Sequence, residues 1–303
     1  MPRVLLPFPA QRSMAAALAT VLEARVGDLA WRRFPDGESL VRVDPTVSGC
    51  DVAIVASLDR PDEKALAVRF ATETARELGA RSVGLIAPYL AYMRQDRRFQ
   101  PGEALSAPLF ARFIADTFDW LVTADPHLHR YRVLADVYPI PTRRVETAPL
   151  LASWIAAHVP QASLVGPDAE SAQWVGAVAR HAGLPWQVLQ KTRYGDRDVT
   201  VSLPDAAALH GRTAVVVDDI ASSGQTMIEA VRRLQQAGCA DIVCVAIHPV
   251  FAEDAYERLR ATGVARIVST DSIPHPSNAI GIADALAAGC AGLFVPRRVG
   301  RAA

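Results

Sequence analysis

The stretch "TAVVVDDIASSGQTM", residues 213–227, decides the fold. Five small or β-branched residues run into two adjacent aspartates, then a short loop of hydroxyls and glycine, then the start of a helix. A parallel strand covered by helices on both faces is apolar along its length. Its polar residues gather at the C-terminal end, where open α/β sheets bind ligands. Asp218 and Asp219 stand at that end. The backbone N–H groups of 221–226, from Ala221 through Ser222, Ser223, Gly224 and Gln225 to Thr226, can wrap an anion. Gly224 permits close approach, Ser222, Ser223 and Thr226 add hydroxyl donors, and the following helix points its positive end at the same place. A phosphate suits this loop. The two carboxylates would repel it but can accept hydrogen bonds from sugar hydroxyls, so a sugar phosphate satisfies both halves of the motif. A plainer reading has Asp219 capping the helix and Asp218 as an exposed strand end. Two adjacent carboxylates joined to a small-residue loop weigh against it.

The same rhythm runs outward in both directions. Strand-like apolar runs occur at 51–57, 81–89, 120–125, 162–168, 213–219, 241–249 and 265–271. Between them, stretches such as 63–79 and 224–238 carry apolar residues at helical spacing and end at a glycine, a favoured helix stop. Alternating strands and helices predict parallel sheets flanked by helices. The halves also resemble each other: strand, loop, helix and "ELGARSVGLIAPY" in one, strand, loop, helix and "QAGCADIVCVAIHP" in the other. A duplicated α/β domain is expected, 1–145 followed by 146–303, with the last helix a candidate to pack back on the first domain. A chain of 303 residues is comfortable for two such domains.

Bulk composition narrows the function. The 32 basic residues balance the 32 acidic ones, so no overall basic field invites nucleic acid. No apolar run approaches the ~20 residues that span a bilayer, and the opening "MPRVLLPFPAQR" is too short in its apolar run and too rich in proline for a signal peptide. Cys50, Cys239, Cys244 and Cys290 form no Cys-x-x-Cys pair. Free thiols in a reducing compartment, the cytoplasm, are expected.

With these residues in view, "VVVDDIASSGQT" resembles the fingerprint of the phosphoribosyl diphosphate-binding fold, shared by type I phosphoribosyltransferases and ribose-phosphate diphosphokinases. Further segments are similar to the diphosphokinase family: "RRFPDGESLVRV" (32–43) to its Phe-x-Asp-Gly-Glu segment, and "APYLAYMRQDRRFQPGEALSA" (87–107) to its Pro-Tyr-x-x-Tyr-x-Arg-Gln-Asp-Arg stretch. "TADPHLH" (123–129) stands where the family has Asp-x-His, "VGPDAES" (165–171) where it has Ser-Pro-Asp, and "QKTRYGDRDV" (190–199) where it has a mobile Lys-x-Arg segment. The resemblance runs in order over nearly the whole chain.

It implies two tandem phosphoribosyltransferase-type domains. It also implies transfer of the β,γ-diphosphoryl group of MgATP to the 1-hydroxyl of ribose 5-phosphate, giving 5-phosphoribosyl 1-diphosphate and AMP. Phe34, Asp36 and Glu38 would contact adenine, in a segment that reaches a neighbouring subunit's site, so a homo-oligomer is implied. Arg94 and Gln95 would bind ATP, with Asp96 supporting their loop. Lys191 and Arg193 would stabilise charge on the transferred group, on a loop that closes over the substrates. Residues 218–226 would hold ribose 5-phosphate. His127 and Asp168 would hold Mg²⁺, directly or through water, with Asp125 orienting His127. His129 is a rival to His127, though a histidine simply solvated at the surface accounts for it as well.

The chain also departs from the family. Its phosphate loop reads Ser-Ser-Gly-Gln-Thr, having lost an acidic residue and one glycine, and Gln225 is expected to restrict the backbone there. Gly166 replaces the serine of Ser-Pro-Asp, Pro126 stands inside Asp-x-His, and Lys-Thr-Arg replaces consecutive basic residues. A phosphoribosyltransferase or a non-catalytic subunit of such a synthase are the alternatives. The first needs only one such domain, and the second predicts the loss of Lys191, Arg193 or His127, which are all present.

Overall fold

The computed structural model describes residues 1–194, 198–202, 205 and 207–294, without the side chains of 191–202. The chain forms two compact units: Met1–Val145 with the stretch that starts at Ala283, and Glu146–Ile282.

The first unit runs β1 (Arg3–Pro7), α1 (Arg12–Leu22), β2 (Arg25–Val26), β3 (Leu29–Arg33), β4 (Ser39–Val43), β5 (Asp51–Val55), α2 (Pro61–Glu77), β6 (Ser82–Ala87), α3 (Ser106–Thr117), β7 (Leu121–Ala124) and β8 (Thr142–Val145). Six strands form a parallel sheet in the order β2-β1-β5-β6-β7-β8, while β3 and β4 pair apart as an antiparallel hairpin. Every residue of β5 and β6 is buried, as expected of central parallel strands covered on both faces. The Trp120 ring lies flat against Gly84 of β6.

The second unit continues α4 (Ala148–His158), β9 (Ala162–Gly166), α5 (Ala172–Ala182), β10 (Trp186–Val188), β11 (Gln190–Tyr194), β12 (Asp198–Ser202), β13 (Thr213–Ile220), α6 (Gln225–Gln236), β14 (Ile242–His248), α7 (Ala255–Arg260), β15 (Arg266–Thr270) and β16 (Asn278–Ile280). Its parallel sheet has the order β10-β9-β13-β14-β15-β16. Numbered within each unit's own sheet, the two orders are identical, which is the structural form of the duplication.

Period-two alternation sorts the second core. Val215 and Val217 pack with Leu151, Ile155, Val175 and Val178 of α4 and α5. Ala214 and Val216 pack with Ile228, Val231 and Leu234 of α6 and Leu259 of α7. Both faces of β13 are therefore apolar until Asp218.

The chain then returns to the first unit through α8 (Ala283–Gly289), which packs on α1, β7 and β8. The second unit thus closes at Ile282 rather than at 303. The expected closing loop at 190–199 also differs: β11 and β12 form a two-stranded antiparallel ribbon, with Lys191 opposite Val201 and Arg193 opposite Val199.

Candidate active site

Asp218 and Asp219 lie near the C-terminal end of β13, where Asp218 is in register with Ala246 of β14. Asp219 is buried and Asp218 half-buried. The cap of α6 is Gly224, at φ +69°, with no side-chain cap bond, so neither aspartate serves as a helix cap. Gly224 alone takes the left-handed turn. Gln225 is already the first helical residue, and its bulk costs the loop no strain of that kind.

The carbonyls of this loop are turned away from its mouth. Ala221 O accepts from Phe251 N at 2.7 Å, Ser222 O from Ala252 N at 3.0 Å and Gly224 O from Ile228 N at 2.8 Å. Among the described residues, the N–H groups of Ser222, Ser223 and Gly224 have no acceptor. Three unspent donors at a helix N-terminus form an anion cradle.

Asp168, just beyond β9, accepts from the N–H groups of Glu170 and Ser171 through Oδ1, both at 3.1 Å. The Ser171 hydroxyl donates to the Asp168 carbonyl at 2.6 Å. A Cβ on Gly166 would lie 2.5 Å from that hydroxyl oxygen. Ser171 thus occupies the space that a side chain at 166 would need.

Burial, and then the carboxylates of Asp219 and Asp168, push the Asp218 pKa well above the ordinary carboxylate value. The folded state therefore holds this proton more tightly than the unfolded chain. Its contribution to stability is complete below the unfolded pKa and is lost as pH rises through the folded one. Asp218→Asn should accordingly raise the melting temperature of the ligand-free protein at neutral pH, by about 2–4 °C for each kcal/mol regained. The gain should shrink as pH falls toward ~4, while sugar-phosphate affinity drops. A neutral-pH melting temperature below the wild-type value would refute this account of the carboxylate cluster.

The first unit carries the remaining motifs. Phe34, Asp36 and Glu38 form the tight turn between β3 and β4: Phe34 N donates to Glu38 O at 2.7 Å, Gly37 takes φ +94°, and Asp36 Oδ1 accepts from Glu38 N at 3.1 Å. The Arg32 guanidinium lies 4.5 Å over the Phe34 ring. Arg94 is exposed in the irregular segment after β6, and Gln95 is held by Ser106, whose hydroxyl donates to Oε1 at 2.5 Å. Asp96 is enclosed by two residues that sequence spacing did not connect with it: Arg130 Nε at 3.4 Å and His129 Nδ1 at 4.0 Å. His129 thus has a carboxylate beside it as well as the ring of His127, stacked at 6.3 Å. Asp125, at φ +25°, accepts from Arg144 Nε and Nη2 at 3.1 and 2.9 Å.

His127 belongs to the first unit and Asp168 to the second. Oxygen donors suit magnesium, and the repulsion among Asp168, Asp218 and Asp219 is what a divalent cation relieves. Among the described residues no three ligating side chains surround a single ion position, so phosphates and water would have to complete the coordination. The side chains of Lys191 and Arg193 lie outside the described residues, and only their places on β11 are given.

The first unit's counterpart of the phosphate loop, between β5 and α2, has a different occupant. Its helix is also capped by a left-handed residue, Arg60 at φ +49°. Here, however, Lys64 Nζ donates to Ser57 O at 3.0 Å and to Asp59 Oδ1 at 2.7 Å. The unit's own ammonium is thus bound to the acceptors of the turn.

Residues 4–117 match the family model described as the N-terminal domain of ribose phosphate pyrophosphokinase, and residues 151–282 match the phosphoribosyl transferase domain. A ribose-phosphate pyrophosphokinase of Methanopyrus kandleri is 36% identical over 273 residues, covering 89% of this chain and 92% of that one. One from Halobacterium salinarum is 34% identical over 285 residues, covering 94% and 99%. The crystal structure of a phosphoribosylpyrophosphate synthetase from Mycobacterium smegmatis superposes with a TM-score of 0.84 at 25% identity, over 97% of this chain and 99% of that one. No helix among the described residues is long and apolar enough to cross a membrane.

Proposed function

The chain belongs to the ribose-phosphate pyrophosphokinase family, and we propose that it joins MgATP to ribose 5-phosphate through the residues described above. It is an enzyme that makes 5-phosphoribosyl 1-diphosphate and AMP. The sugar's 1-hydroxyl attacks the β-phosphorus of ATP and gives its proton to solvent. A bond forms from that oxygen to phosphorus, the bond from the β-phosphorus to the α,β-bridging oxygen breaks, and AMP leaves with that oxygen. Such a transfer needs positioning and charge neutralisation more than covalent help from the protein.

The observation that carries the residue-level reading is the loop after β13. Its carbonyls of Ala221, Ser222 and Gly224 are engaged, its three N–H groups are unspent, and two carboxylates precede it at the end of β13. The donors suit the 5-phosphate, and Asp218 and Asp219 suit the ribose hydroxyls. Arg94 and Gln95 bind ATP phosphates, with Asp96 and Arg130 fixing their segment, and arginine forks match phosphate oxygens. Phe34, Asp36 and Glu38 contact adenine. The exposure of their hairpin turn supports a homo-oligomer in which this turn serves a neighbouring copy. Lys191 and Arg193 meet the charge on the transferred diphosphoryl group. Asp168 and His127 would hold Mg²⁺, which would supply further charge neutralisation. Composition supports a cytoplasmic setting and small-molecule substrates rather than nucleic acid or membrane.

The test is AMP release from MgATP by purified protein, with and without ribose 5-phosphate. AMP that appears only with the sugar, matched by phosphoribosyl diphosphate, is the expected result. A folded protein that binds the sugar phosphate and releases no AMP would overturn the proposal in favour of a transferase or a non-catalytic subunit.

A further inference from the structure

The phosphate loop rests on one segment, residues 251–258, at the start of which the chain takes two left-handed residues, Phe251 at φ +26° and Glu253 at φ +51°. This segment supplies the N–H groups of Phe251 and Ala252 to the loop carbonyls of Ala221 and Ser222. Ala255 lies directly under Gly224: a Cβ added there would stand 3.4 Å from the Ala255 carbonyl oxygen. The segment's far end then reaches the loop by a side chain. Arg258 Nη2 donates to Gln225 Oε1 at 3.1 Å, while Nη1 lies 3.6 Å from Asp254, one turn earlier on the same face.

Gln225 is the residue that replaces a glycine in the phosphate loop. Its side chain points away from the anion cradle and into a shallow depression lined by Ile228, Arg232, Gln235, Arg258 and Thr262. A glycine at 225 has no side chain for Arg258 to hold. The departure from the family pattern therefore comes with a new tether.

We propose that Arg258 is a positioning residue for the sugar-phosphate site. Through Gln225 it pins the first residue of α6, so that the N–H groups of 222–224 stay aimed at one anion position. Arg258 itself stays outside that position, with half its surface in water, and acts through the loop rather than on the ligand. Preorganised donors lose less on binding than donors that must be ordered by the ligand. The tether thus lowers the cost of binding the phosphate and leaves the transferred group untouched.

The inference rests on the loop being the ribose 5-phosphate site, and the test separates the two. Ribose 5-phosphate binding is measured by titration calorimetry without ATP, beside steady-state kinetics, for the wild type, Arg258→Ala, Gln225→Gly and the double variant. Melting curves check that each is folded. A charge-assisted hydrogen bond in water is worth a modest factor, so Arg258→Ala should weaken the sugar phosphate roughly three- to tenfold. kcat at saturating sugar and the KM for ATP should remain within about twofold of wild type. In the Gln225→Gly background, Arg258→Ala should cause no further loss. Unchanged affinity in Arg258→Ala would overturn the inference, as would a loss of equal size in both backgrounds, because Arg258 would then act by charge and not through Gln225. A wild-type protein that does not bind ribose 5-phosphate would overturn the reading of the site, and the positioning role with it.

Discussion

Lys191→Ala should reduce turnover by roughly a hundred- to a thousandfold, the usual effect of removing one charge stabiliser from a reaction centre, while leaving ATP affinity within a small factor of wild type. The argument begins with what the reaction demands. A diphosphoryl group carrying several negative charges passes between two oxygens, and the charge distribution changes most between ground and transition states on the bridging atoms. A group that meets this change raises kcat, whereas a group that binds the phosphates equally in both states only lowers KM. Arg94 and Gln95 are suited to the second task. Lys191 and Arg193 stand two positions apart on β11, which among the described residues pairs with β12 alone. A lysine ammonium is a compact point charge, and a guanidinium is a wide planar fork. Lys191→Arg should therefore recover only part of the activity. The measurement is single-turnover AMP formation at saturating MgATP and ribose 5-phosphate, with ATP affinity measured separately. Turnover unchanged in Lys191→Ala would remove the residue from the mechanism. Lost ATP affinity with normal turnover would move it to the binding side.

Gly84→Ala should cost about 3 kcal/mol or more, the upper range for overpacking a tightly filled core. A Cβ at this position would stand 1.9 Å from Cε2 of Trp120 and 2.2 Å from Cδ2. Gly84 lies on a strand buried along its full length, and the Trp120 ring is buried and packs edge-on against Phe294. The obstacle is thus a rigid bicyclic ring rather than the tip of a flexible chain. At about 2–4 °C per kcal/mol for a domain of this size, a melting temperature lower by roughly 10 °C is expected. The double variant Gly84→Ala/Trp120→Leu should recover part of the loss, because leucine vacates the space the new methyl needs. A single variant that melts within a degree or two of wild type would mean that the strand and ring can separate at little cost.

Much of this fold is legible in the sequence because its parallel strands are apolar on both faces. "DVAIV" and "TAVVVDD" can be read without any knowledge of their neighbours. The strand Gln190–Tyr194 offers no such signal. Gln-Lys-Thr-Arg-Tyr has no apolar period, so the segment reads as a loop, although its partner Asp198–Ser202 does alternate at Val199 and Val201. The site divides along similar lines. Asp218, Asp219 and their loop are contiguous and declare themselves. The partners of site residues are distant: Arg258 lies 33 residues from Gln225 of this loop, and in the first unit Arg144 lies 19 from Asp125. On a helix surface or an edge strand an arginine looks like any other solvated charge until the fold brings its partner near. The contact between Gly166 and Ser171 was hidden for a different reason: they meet only through the turn that follows β9.

The return of α8 to the first unit sets the order in which the protein can be completed during synthesis. Gly289 comes so close to the sheet that a Cβ there would lie 2.8 Å from Val145 Cγ2 and 3.1 Å from Val122 Cγ1, and Leu286 and Cys290 are buried beside it. The first unit's packing is unfinished until these residues leave the ribosome. The second unit is one unbroken stretch, Glu146–Ile282, and has all its parts earlier. At roughly 5–20 residues per second, the interval between release of β8 and of α8 is on the order of ten seconds. Through that time the nascent chain holds an earlier half with its α8 side still open, and the later half receives its last residue, Ile282, before α8 is made.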